Sequence, residues 1–386
     1  MRPARRRVRK LSLRRLLGAL VALALGSVPA GAQSYAAIVD AKYEGPAGGS
    51  SAGVPTFRTL TAALASLEDP ARAAIFHGAG RAVVFIRNGR YREKITIDRP
   101  RTTLVGESRD STVLTYDAYA GQPAPEGGRY GTRGSFTLRI VAPDFRAENL
   151  TIENAFDYNA NARKPDADPG KIHDAQAVAL MLDMSSDRAS FVNVRVSGYQ
   201  DTLFPNAGRA YFSRCEILGN VDFIFGAGRV VFDDCDIVSR DRGSSSNNGY
   251  VTAPSTPKSQ PYGFVFVRSR LKRESPTMAP ASVTLGRPWH PYGDPDAVGS
   301  AVFIECWMDS HIGPKGWDRM SANDSTGARI WYEPGTARFF EFRSKGPGAL
   351  ASSGRPQLSP AQARRYEPKL VLDGWVPPLA AAGSGQ

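Results

Sequence analysis

The chain has 386 residues, 42% of them hydrophobic, with 38 glycines and 28 prolines; that suffices for one large elongated domain and does not require two, because solenoids exceed the usual domain size. The formal net charge of +12 is mostly a leader effect: the first 32 residues hold eight of the 49 Lys and Arg and no acidic residue, leaving 41 basic against 37 acidic. What remains suits a polyanion but argues against nucleic acid, since no run of Lys and Arg interleaved with aromatics follows residue 33.

Residues 1–32 read as a secretory signal peptide. A basic segment (Arg2, Arg5, Arg6, Arg7, Arg9, Lys10, Arg14, Arg15) precedes an apolar run from Leu16 to Leu25 and a small-residue cleavage site at Ala30-Gly31-Ala32. The apolar run is too short to span a membrane. Arg14-Arg15 leaves the twin-arginine route open beside the general one, and no cysteine follows the cleavage site to carry a lipid anchor. The expectation is export, to the periplasm or the external medium, with no membrane anchor afterwards.

Residues 33–380 read as one domain and 381–386 as a disordered tail. Thr56–Leu67 has the spacing of an amphipathic helix, with Leu60, Ala63, Leu64 and Leu67 on one face. It suits the cap of a solenoid end, whose open core must be hidden. Strands are expected at Ala82–Ile86 and Lys94–Ile97, with Asn88-Gly89 as a turn between them, and then at Thr102–Val105, Ser135–Val141 and Asn149–Ile152. The stretch Asn154–Asp174 is polar and reads as a long loop, of the kind that walls a binding cleft.

Three similar apolar segments follow: Phe191–Val196, Tyr211–Ile217 and Val231–Ile237. Aligned, they put Val194, Cys215 and Cys235 in one register, with steps of 21 and 20 residues. Such steps mark a solenoid in which each repeat lies on the last at a strand spacing of about 4.8 Å. Asp201 lies seven residues past Val194, and Asp222 seven past Cys215. If the coils stack, the two carboxylates are neighbours on one face, roughly one strand spacing apart. Beyond them come a Gly/Ser/Asn loop at Asp241–Gly249, strands at Phe264–Val267 and Val302–Met308, and a short helix at Ser359–Tyr366.

Five motifs in order, Gly89–Glu93 (GRYRE), Gln176–Leu180 (QAVAL), Gly198–Leu203 (GYQDTL), Asp222–Gly226 (DFIFG) and Leu285–Trp289 (LGRPW), resemble the motif set of the pectin methylesterases, or pectinesterases. The resemblance runs from about residue 36 to 376, and Cys215, Cys235 and Met320 are closer to bacterial members than to plant ones. It implies an all-β fold, a right-handed parallel β-helix, and hydrolysis of the methyl esters of homogalacturonan to methanol and pectate. Phe204 stands where many members carry Tyr, so this chain lacks a hydroxyl there.

The chemistry can be set beside the resemblance. Ester hydrolysis through a carboxylate needs an ionised nucleophile, a proton donor for the leaving alcohol and donors for the oxyanion. A bidentate Arg287 would keep one carboxylate ionised, and the second carboxyl, beside that charge, would keep its proton. The resemblance makes Asp222 the nucleophile and Asp201 the general acid and base, and puts the neutral amides of Gln176 and Gln200 at the oxyanion. Trp289 offers a flat face for a sugar ring, with Phe225, Phe204 and Met320 widening the apolar platform.

Taken alone, each residue has a plainer explanation: turn aspartates cap backbone groups, a lone arginine is a surface ion pair, and a lone tryptophan is core. The shared register of the aspartates and their glutamine partners favours the site. Ser51 in Gly49-Ser-Ser-Ala-Gly53 matches a nucleophile motif formally but lacks the strand–turn–helix context. His77, His173, His290 and His311 show no metal-ligand spacing, so neither metal nor cofactor is expected. Cys215 and Cys235, one coil apart in an exported chain, are expected to form a disulfide with Cys306 free; stacked buried thiols are the other reading. The partner expected is pectin, and the chain a monomer. The competing functions are another pectin-degrading β-helix enzyme, a polygalacturonase or a calcium-dependent lyase, and a catalytically silent pectin-binding protein.

Overall fold

The computed structural model describes residues 35–377 apart from 52, 70–79 and 325. The signal peptide read over 1–32, the tail read over 381–386 and His77 lie outside the described residues. Within them, three parallel sheets of twelve, eight and seven strands run the length of a right-handed parallel β-helix. Every pairing in the long sheet is parallel except the small hairpin of Ser50–Ser51 with Val54–Phe57.

The register is the one the repeat implied. Phe191 pairs with Phe212 and Phe212 with Phe232; one corner later, Arg195 pairs with Glu216 and Glu216 with Asp236. The 21- and 20-residue steps are true coil lengths. Each apolar segment, however, is two strands rather than one: Ala189–Val192 turns into Arg195–Ser197, Arg209–Ser213 into Glu216–Gly219, and Arg229–Asp233 into Asp236–Ser239. The bend falls on a single left-handed residue, Asn193 (φ 51°), Arg214 (φ 51°) or Asp234 (φ 52°). Only Asn and Asp are at ease there, so the corner at Arg214 carries no turn signal in the sequence.

The long sheet turns a column of rings inward. Phe191, Phe212, Phe232, Phe266 and Phe303 stack at centroid distances of 4.4, 5.1, 4.6 and 4.4 Å. All five are fully buried, each contributing roughly 1.5–3 kcal/mol of transfer free energy. At the next position the column meets Glu341, paired with Phe303 across the strands and held by Arg355 through two 2.7 Å bonds.

Several local readings change. The first helix spans Leu60–Leu67, shorter than expected at its start because Thr56 and Phe57 pair with Ile38 and Val39 as a strand. Thr59 caps it, and both carboxylate oxygens of Glu93 take N–H groups of its first turn, from Leu60 and Thr61 at 2.8 Å. Asn88-Gly89 is no simple turn: Gly89–Arg92 is itself a strand of the eight-stranded sheet, paired with Thr112–Tyr116. The polar loop after Asn154 contains a short helix, Tyr158–Ala162.

The disulfide expected between Cys215 and Cys235 is not formed; both are free, as is Cys306. The two thiols are close enough to act on each other, Cys215 being among the groups that raise Cys235. Each thiol faces the carbonyl of the coil before it instead: Cys215 Sγ is 3.4 Å from the Phe191 carbonyl, Cys235 Sγ 3.4 Å from that of Phe212, and Cys306 Sγ 3.6 Å from that of Phe266. Burial pushes the Cys306 thiol up to about 12 and Cys235 well above its usual range, the latter helped by Cys215, which suppresses the reactive thiolate. Thiol titration of the unfolded, unreduced protein should therefore find three reactive groups; a count of one would restore the bond.

Candidate active site

The seven-stranded sheet carries the site on its outer face. Leu203 pairs with Ile224, so Asp201 and Asp222, two residues before each, hold the same place on consecutive coils. Asp201 N–H donates to the Val221 carbonyl at 3.0 Å, locking one aspartate turn onto the next. Both aspartates are left-handed, φ 63° and 50°, a conformation Asp tolerates better than most residues. Three residues ahead of each stands a glycine, Gly198 or Gly219. A Cβ at Gly219 would sit 2.2 Å from the Cβ of Phe223 and 2.7 Å from Oγ1 of Thr202, so only glycine lets these turns stack.

Two coils further on, Gly286 aligns with Thr252 and Thr252 with Ile224, which places Arg287 over the aspartate turn. Its guanidinium grips Asp222 in bidentate fashion, Nε to Oδ1 at 2.8 Å and Nη2 to Oδ2 at 2.6 Å. The Tyr250 ring lies 3.9 Å below the guanidinium carbon and fixes its plane. Asp201 is buried, and its carboxyl is held well above the usual carboxylate range, first by burial and then by the charge of Asp222, with Arg287 opposing. The two aspartates thus differ: one has a cation in hand, the other a neighbouring anion.

Gln200 precedes Asp201 directly, and the N–H of Ala177 donates to the Gln200 carbonyl at 3.2 Å, which sets Gln176 one coil away. Gln176 Oε1 is buried with no hydrogen-bond partner among the described residues. That oxygen can only accept, so the NH₂ of the same amide is the group able to donate to a ligand. Gln176, Gln200, Asp201, Asp222 and Arg287 open into one cleft of about 590 Å³, together with Phe204, Phe225, Trp289 and Met320. All nine residues expected from the sequence therefore meet in one place. Phe204 and Phe225 stack at 4.1 Å, and Trp289 sets its edge against both, at 6.3 and 5.6 Å. No group of three His, Cys, Asp or Glu among the described residues is placed to hold a metal ion.

The sequence missed the walls. Tyr130–Arg133, Asn206, Pro291 and Tyr292 also line the cleft. Arg139 lies in the same row as Met181 and Phe204 and shares the buried Asp183 with Arg133, at 2.6 and 2.8 Å. Lys94 lies 3.2 Å over the Phe136 ring, and burial lowers its pKa to about 8. Counting the row back from Leu203 through Leu180 to Leu138 would have found this cationic end, but those coils are of unequal length and show no period.

Fold and cleft together define a parallel β-helix protein with a carboxylate–guanidinium centre on one sheet face. The family model described as Pectinesterase matches residues 50–367, and the chain belongs to the pectinesterase family. It is 44% identical to Pectinesterase A of Dickeya chrysanthemi over 335 residues, which cover 84% of this chain and 89% of that one. Among solved structures, a pectin methylesterase in complex with a hexasaccharide is 44% identical, with a TM-score of 0.83 over 90% of this chain and all of that one. The pectin methylesterase of carrot is 27% identical, with a TM-score of 0.64 over 89% of this chain and 94% of that one.

Proposed function

We propose that the chain removes methyl groups from methyl-esterified homogalacturonan through an aspartyl nucleophile. The observation that carries this reading is the bidentate grip of Arg287 on Asp222 beside the buried Asp201. An oxygen of Asp222 attacks the ester carbonyl, and the amides of Gln176 and Gln200 take the charge that develops on its oxygen. Asp201 gives its proton to the departing methoxide, so methanol leaves and an acyl-enzyme anhydride remains. Asp201, now a carboxylate, draws a proton from water as that water attacks the carbonyl. Pectate is released, Asp222 returns as carboxylate and Asp201 regains its proton. The apolar row of Phe204, Phe225 and Trp289 suits sugar faces and methyl groups, and neutral amide donors suit an acyl oxyanion better than the oxocarbenium of a glycosidase.

Two further readings belong to the proposal: the leader exports the chain, and the mature protein acts as a monomer. Among the described residues, no helix is long and apolar enough to cross a membrane. The test is the purified mature chain with methylated pectin. Methanol is expected without unsaturated products and without new reducing ends. Unsaturated products would favour a lyase, new reducing ends a polygalacturonase, and silence a binding protein.

A further inference from the structure

Three residues past Trp289 the chain makes a turn, Pro291–Gly293, on which Tyr292 stands 98% exposed at the wall of the cleft. Its backbone is left-handed, φ 55° and ψ 24°, which is unfavourable for a bulky aromatic residue. The surroundings hold it there from several sides. The rings of His290 and Tyr332 stack at 3.5 Å, and Tyr332 Oη donates to the Gly293 carbonyl at 3.0 Å. Gly293 N–H donates to the His290 carbonyl at 3.0 Å, Asp294 N–H to that of Pro291 at 3.0 Å, and His290 Nδ1 lies 2.7 Å from the Asp294 carbonyl.

The turn is thus fixed by His290 and Tyr332 and not by Tyr292, whose ring packs on nothing that would explain its place. Strain of this kind persists only where the surrounding structure over-determines it, and such positions cluster at ligand clamps and other functional places. The ring also shares the cleft with an aromatic cluster: Phe204 and Phe225 stack in it, Trp289 stands against them, and Tyr292, three residues after Trp289, lines the same wall. Arg287 stands two coils from the strand that follows Asp222, about 10 Å along the axis. A polymer lying over Trp289 therefore meets Tyr292 beyond the reacting ester.

We infer that Tyr292 is a sugar-stacking platform for a uronate ring of the same chain outside the reacting unit, an outer subsite on the Arg287 side of the cleft. This rests on the esterase reading for its substrate. Its tyrosine ring face, not its hydroxyl, makes the contact, and the strained turn fixes the backbone that presents the ring before the polymer arrives, so that only the side-chain torsions are ordered on binding.

The test uses the full mature chain with highly methylated homogalacturonan and three variants. Tyr292→Ala is expected to raise KM about three- to tenfold, with kcat and its pH profile unchanged, since stacking of this size acts on ground and transition state alike. Tyr292→Phe should bind as the unaltered protein does. Tyr292→Gly, which removes the ring and relaxes the turn, should show the same rise in KM and melt no lower than the unaltered protein. An unchanged KM in the Ala and Gly variants overturns the inference. So does a loss confined to kcat or a displaced pH profile, because that would mean the turn serves Arg287 or Trp289 instead. Retardation in gels containing the polymer reads binding without turnover; if the unaltered protein released no methanol, the esterase reading would fall while weaker retardation of Tyr292→Ala would still support the platform.

Discussion

Asp222→Asn is expected to release no methanol above background from any methyl ester, a loss of at least ~10⁴-fold for removal of a covalent nucleophile. The substitution keeps shape and removes charge. Arg287, whose Nε and Nη2 both donate to Asp222, is left against a neutral amide in a half-buried site. Loss of charge-assisted bonds of this kind costs about 1–3 kcal/mol, so the variant should also melt below the unaltered protein. An activated aryl ester of galacturonate separates chemistry from leaving-group departure: no burst of phenol is expected. A burst from Asp222→Asn would move the nucleophile elsewhere.

Asp201→Asn should lose roughly 10²–10⁴-fold toward methyl esters, the usual contribution of a positioned proton donor, yet keep a burst with the aryl ester, whose phenolate departs without help. Its stability should move the other way. The Asp201 carboxyl is raised above its ordinary value of 3.8 by burial and by Asp222. A group whose folded pKa lies above its unfolded one stabilises the fold fully below the unfolded value and loses that contribution as pH rises through the folded one. Asparagine titrates in neither state. Asp201→Asn should therefore melt higher than the unaltered protein once pH exceeds that raised pKa, and melting curves followed across pH would show the two diverging. For the same reason methanol release by the unaltered protein should fall as pH climbs through that value, because acylation needs the proton on Asp201. Equal melting of the two proteins at every pH would mean Asp201 is not held protonated.

The central site was legible because three consecutive coils are short and nearly equal. Counting from Val194 to Cys215 to Cys235 was enough to put Asp201 beside Asp222, and the pairings of Phe191, Phe212 and Phe232 bear that count out. The same regularity brought the cysteines of consecutive coils together, but as free thiols and not as the expected disulfide. Corners at Arg214 and Glu305 were invisible, because nothing in an arginine or a glutamate announces a left-handed backbone. The walls were illegible for another reason. Tyr130–Arg133 and Tyr292 sit in segments whose length follows no repeat, and their place depends on contacts distant in sequence, such as Tyr332 on His290.

The left-handed corners at Asn193, Arg214, Asp234, Arg268, Glu305 and Arg343 also divide the chain by its freedom to change length. Between Asn193 and Asp234 the coils are near the shortest that close around the phenylalanine column, and an added residue there would carry one carboxylate out of line with the other. From Asp234 onward the intervals widen, and part of the surplus, at Pro291, Tyr292 and Met320, lines the cleft. Insertions and deletions are thereby steered away from the reacting pair and into the surfaces that grip the polymer. Descendants of such a chain can alter which pectins they prefer through loop length alone while the distance between Asp201 and Asp222 is inherited unchanged.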